Sequence, residues 1–91
     1  MQLFEWSEEK NEWLKQERDI SFEGIEDAVN TGGLLADIPH PNRTKYPHQR
    51  MLAVLMGARV YGVPCVKKDE HTYFLKTAYP SSKLAKQFLK N

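Results

Sequence analysis

Apolar and polar positions follow two periods along this chain, and the switch between them marks its elements. Near the start, Leu3, Phe4 and Trp6 make a short apolar run that predicts a strand or edge segment. Ser7 follows as a helix cap, with Glu8 and Glu9 in the first turn, where the helix dipole favours acids. A helix is expected over residues 8–18. Its apolar side is only Trp13 and Leu14, so Trp6 and Trp13 are expected to anchor it. Ser21 caps the next helix, with Ile20 and Ile25 at the spacing of a hydrophobic staple. Phe22, Ile25, Ala28 and Val29 then share one stripe, and Thr31-Gly32-Gly33 ends the helix, because glycine accepts the left-handed backbone that a helix stop often uses.

Beyond that stop the period shortens to two. Residues 34–38 predict a short strand, and residues 39–48 an exposed connection, since Pro39, Pro41 and Pro47 forbid regular structure there. Residues 50–56 and 59–66 predict a hairpin turning at Gly57-Ala58. Pro64 lacks the amide proton of a ladder, so a bulge or an early strand end is expected beside it. Residues 71–79 predict a further strand with Tyr73, Leu75, Thr77 and Tyr79 on one side and Phe74, Lys76 and Ala78 on the other. Pro80 stops it, Ser81 or Ser82 caps a last helix, and Leu84, Ala85, Phe88 and Leu89 face inward from that helix while Lys83, Lys86 and Lys90 face out. The expected architecture is α+β: two N-terminal helices, a four-stranded and mainly antiparallel sheet, and a C-terminal helix.

Ninety-one residues make one domain, residues 1–91, and a composition of 41% hydrophobic and 27% charged residues is that of a globular chain. Apolar runs are too short to span a membrane, and the acidic N-terminus has no signal core, so a cytoplasmic location without a membrane partner is expected. The lone Cys65 excludes an internal disulfide and reads as a small buried strand residue. The net charge of +1 hides an asymmetry: residues 1–37 hold ten acids against three bases, −7, and residues 38–91 hold ten bases against two acids, +8. Such a split draws a polyanion to one surface, unless the halves neutralise each other across the fold.

Metal chemistry is poorly supported, because His40, His48 and His71 lack ligand spacing and the acids cluster in the other half. Glu5, Glu8, Glu9 and Glu12 read as a solvated face rather than a working carboxylate pair, and Gly32-Gly33 is too little for a phosphate loop. The better constellation is basic and aromatic: Arg43, Lys45, Tyr46, His48, Arg50, Lys76, Tyr79 and Lys83. Such side chains neutralise phosphate, stack on bases and move protons. They suit RNA cleavage by the neighbouring 2′-hydroxyl, which needs a base, an acid and cations but no metal or other cofactor. Passive binding would use the same residues.

Phe4-Glu5-Trp6-Ser7-Glu8-Glu9-Lys10-Asn11, followed by Asp19-Ile20-Ser21-Phe22-Glu23, resembles the FEWD-x-x-K-N…H/R-G-I-S-F-E-E opening of BrnT-type toxins, members of the RelE/ParE superfamily of bacterial toxin–antitoxin systems. Arg50 matches the arginine that commonly opens their second strand, and residues 77–86 stand where that family has I-S-A-R-x-A-x-x-x-E-R. The resemblance implies a RelE-like fold, a ribonuclease that blocks translation by cutting RNA, free or on the ribosome, and a cognate antitoxin. That antitoxin would be a small DNA-binding protein that covers the toxin and helps repress the operon. Two departures stand out: Glu17-Arg18-Asp19 replaces the family's Lys-His-Gly, and Tyr79 replaces its arginine. Arg50 and Lys83 are accordingly expected to hold phosphate, Tyr79 and His48 to act as acid and base, and Arg43, Lys45, Tyr46, Lys76 and Lys86 to bind RNA. The alternatives are a non-catalytic module that binds nucleic acid or antitoxin, and a ParE-like topoisomerase inhibitor.

Overall fold

The computed structural model describes residues 2–89. Strand β1 (Leu3–Trp6) leads into helices α1 (Glu8–Arg18) and α2 (Phe22–Ala28). Strands β2 (Leu34–Pro39), β3 (Arg50–Met56), β4 (Arg59–Lys67), β5 (Thr72–Leu75) and β6 (Tyr79–Pro80) precede helix α3 (Ser82–Phe88). Each helix starts on a serine hydroxyl: Ser7 accepts from the Lys10 amide, Ser21 from that of Gly24 and Ser81 from that of Leu84. At the end of α2 the chain widens through residues 29–33, and Gly32 leaves it with φ 97°. Gly33 packs so closely on the hairpin that a Cβ would collide with the Leu55 carbonyl oxygen. Gly57, at φ 64°, makes the tight turn between β3 and β4.

The sheet has six strands rather than four, in the order β1-β5-β4-β3-β2, with β6 also on β4. Two corrections account for the difference. β1 is a full member, lying parallel to β5 with Leu3 opposite Thr72 and Trp6 opposite Leu75, a pairing between distant segments that local pattern does not reveal. The strand expected over residues 71–79 is also broken, into β5 and β6.

Helices α1 and α2 cover one face of the sheet. There Leu14, Phe22 and Ile25 are fully buried against Leu52, Val54, Val63, Cys65, Tyr73 and Leu75. Trp6 stacks on Phe22 with ring centroids 5.6 Å apart. Trp13, expected as an anchor, is instead 40% exposed and lies against Lys10 and Arg18. The tie between α1 and α2 is Asn11, fully buried, which accepts from the Phe22 amide (2.8 Å) and donates to Glu23 Oε1 (2.7 Å). One amide side chain thus satisfies the first free donor of α2 and an acid in its first turn. On the other face α3 alone lies over Met51, Ala53 and Val60, contributing Leu84 as its buried residue.

Candidate functional site

The break between β5 and β6 decides where Tyr79 points. Along β4, Leu75 stands opposite Cys65 and Tyr79 opposite Gly62, so residues 76–78 span the two positions Val63 and Pro64. One extra residue in a strand exchanges its faces. Tyr73, Leu75 and Ala78 therefore pack on the α1/α2 side, while Tyr79 joins Leu84, Met51 and Phe88 on the α3 side. The expectation that Tyr79 shares a side with Tyr73 and Leu75 is thereby corrected. Pro64 supplies the physical reason, though the bulge lies in its neighbour and β4 runs on to Lys67. The Pro64 carbonyl accepts from the Lys76 amide (2.8 Å), which turns its polar edge toward this strand, and there its ring nitrogen has no proton to return. The ladder lapses after Lys76 and resumes at Tyr79.

Tyr79 and α3 together frame a cleft of ≈ 280 Å³, lined by Ile38, Pro39, Pro41, Met51, Tyr79, Ser81, Lys83, Leu84 and Gln87. The Tyr79 hydroxyl lies 3.8 Å from Met51 Sδ, a weak acceptor that leaves its proton available. Burial raises the phenol above its ordinary value, so at neutral pH it is a proton donor. Lys83 is exposed beside it, with Lys86 one turn further on. Lys76, on the excursion, lies over the Phe74 ring at 5.3 Å.

The connection after β2 borders this cleft through Pro39 and Pro41 and carries Arg43, Lys45, Tyr46 and His48. It has its own bonds: the His40 amide to the Gln49 carbonyl (3.0 Å), the Tyr46 amide to the Asn42 carbonyl (2.9 Å) and the Lys45 amide to Asn42 Oδ1 (3.1 Å). His40 and Tyr46 rings stand 4.6 Å apart, and Lys45 Nζ is 5.3 Å from the Tyr46 ring, so this aromatic already has neighbours. Arg43, Lys45 and His48 are exposed. Among the described residues, Arg43, Lys45, Lys76, Lys83 and Lys86 make no ion pair with an acid.

Arg50 is not part of this group. It alternates with Leu52 on β3 and so points to the α1/α2 side, where its Nε donates to Asp37 Oδ1 and its Nη2 to the Asp37 carbonyl (3.0 Å). The other Asp37 oxygen accepts from the buried Tyr73 hydroxyl at 2.7 Å. Burial, then the bond to Asp37, pushes the Tyr73 phenol up to about 12, and burial, then the Asp37 charge, pushes the Cys65 thiol up to about 12. Residue pattern placed Asp37 among the acids of the first half. Its register opposite Leu52, diagonal to Arg50, makes it that arginine's counter-ion. The four residues expected to do chemistry thus divide: Tyr79 and Lys83 share the cleft, His48 belongs to the connection beside it, and Arg50 lies behind the sheet.

No family model matches the chain, and no curated protein or solved structure does so either. Several residues of the opening segment have structural work. Trp6 donates to Glu8 (2.8 Å) and stacks on Phe22, Asn11 joins Glu23, and Ser21 caps α2. Pro39, Pro41, Met51, Ser81 and Gln87, which line the cleft, were not anticipated as part of a site. No short motif in the sequence marks them, since they meet only when α3 folds over β3.

Proposed function

We propose that this chain is the toxin of a type II toxin–antitoxin system with a RelE-like fold, and that it cuts RNA from the α3 face without a metal. The observation that carries the reading is the shared cleft of Tyr79, Ser81 and Lys83, on the side of the sheet that also holds Lys76 and Lys86 and is bordered by the connection bearing Arg43, Lys45 and His48. Support also comes from the element order, two helices, a largely antiparallel sheet and a terminal helix, and from the toxin-like opening motif. In this reading Lys83 balances charge on the phosphorane, Tyr79 donates a proton to the leaving oxygen, and His48 accepts the proton of the 2′-hydroxyl. The remaining cations hold the backbone of the RNA. Arg50, neutralised by Asp37, braces the sheet end. The partner is a cognate antitoxin, a small DNA-binding protein.

The test is cleavage of RNA by purified protein in EDTA. Wild type is expected to cut, and Tyr79→Phe or Lys83→Ala to lose about 10²-fold in rate, the scale of one positioned acid or cation; an inert wild type sinks the reading. Passive binding is favoured by one observation, the apolar wall of Ile38, Pro39, Pro41, Met51 and Leu84. Its signature is RNA affinity that falls steeply with salt and no cleavage.

A further inference from the structure

Arg18 ends α1 on the opposite side of the sheet from the cleft, yet its guanidinium reaches the excursion that precedes Tyr79. Its Nη1 donates to the Ala78 carbonyl at 2.6 Å and stands 3.4 Å from Thr77 Oγ1. The guanidinium lies 4.8 Å from the Trp13 ring, which limits where it can swing. Asp19, left-handed at φ 56°, turns the chain directly after it. We propose that Arg18 is the positioning residue for Tyr79: it holds residues 76–78 one position out of step with β4, and so keeps the phenol on the α3 face.

Three observations converge on this. Pro64 leaves the ladder without a donor at the point where the excursion begins, so something else must hold that backbone. Arg18 donates to the Ala78 carbonyl, the last before Tyr79. In an unbroken register Tyr79 would turn to the side of Tyr73 and Leu75, where Ala78 is fully buried and no phenol fits. A chain without Arg18 therefore has no good second register, and the segment loosens rather than flips. The geometric part stands alone; the catalytic part rests on the proposed nuclease reading.

The experiment compares wild type, Arg18→Met and Arg18→Lys by amide hydrogen exchange, by the nuclear Overhauser contact between the Tyr79 ring and the Leu84 methyls, and by RNA cleavage. Arg18→Met is expected to speed exchange at Ala78 and Tyr79 about tenfold, leave β3 amides unchanged, weaken the Tyr79–Leu84 contact and lower kcat about tenfold with KM within twofold. The magnitudes follow from removing one charge-assisted hydrogen bond. Arg18→Lys, which keeps one cationic donor, is expected to restore most of each. Wild-type exchange and contact in Arg18→Met would overturn the proposal, and so would a uniform loss of protection through β3, which would make Arg18 a general stabiliser. If wild type cuts no RNA, the nuclease reading falls, while exchange and the ring contact still decide the positioning role.

Discussion

On the face under α1 and α2, Leu14, Phe22 and Ile25 are fully buried against the apolar side chains of β3, β4 and β5, whereas on the other face α3 is seven residues long and buries Leu84 from its own sequence. Polar groups differ in the same way. Asn11, Asp37, Arg50 and Tyr73 spend their hydrogen bonds on strong partners within the first face, while the Tyr79 hydroxyl has only the weak acceptor Met51 Sδ and Lys83 and the cations of the connection after β2 stand exposed without an ion pair among the described residues. The lesson is a division of labour: one face makes the domain stable, and the thinly covered one is left with an open cleft and uncompensated charge.

Unfolding measurements can break that comparison. Phe22→Ala is expected to cost about 3–5 kcal/mol in urea denaturation, because it empties a closed site, and Leu84→Ala about 2 kcal/mol, because its cavity opens to the cleft. Equal losses would mean that the two faces are packed alike. A smaller effect is expected at high pH. The folded state holds the protons of Tyr73 and Cys65 more tightly than the unfolded chain does, since both are raised to about 12 from ordinary values of 10.0 and 9.0. Their contribution is complete below about pH 9 and is lost as pH rises toward 12. Tyr73→Phe should therefore flatten part of the fall in unfolding free energy between those limits, by up to about 2–3 kcal/mol for a two-unit displacement; a profile identical to wild type would remove Tyr73 from the account. The smallest effect is at Asp19, where a residue with a side chain holds φ 56°. Asp19→Gly should raise stability by about 0.5 kcal/mol without altering any RNA activity, which would sharpen the separation of the two faces.

Local signals were legible in the residues themselves. Ser7, Ser21 and Ser81 cap the helices expected of them, the first helix has the bounds its pattern indicated, and Gly57 turns the hairpin. What escaped is what depends on partners far away in the chain. β1 was visible as a strand but not as a parallel neighbour of β5, and Asp37 was visible as an acid but not as the partner of Arg50. Pro64 was recognised as a disturbance, yet its effect fell on the adjoining strand, where it exchanged the sides of Ala78 and Tyr79. For the site, Tyr79 and Lys83 were found by residue type; the apolar wall between them was not, because Met51, Ile38 and Pro41 carry no chemical signature until a helix lies across them.

The parallel pairing of β1 with β5 also fixes an order of events during synthesis. Leu3–Trp6 is made before its hydrogen-bonding partner, Thr72–Leu75, which follows only after α1, α2 and the hairpin. Until then the nascent chain carries an apolar edge with nothing to pair with, the kind of segment that recruits chaperones or neighbouring chains. Closing it joins widely separated stretches of polypeptide, and that late step, rather than helix or hairpin formation, should set the pace at which the domain matures.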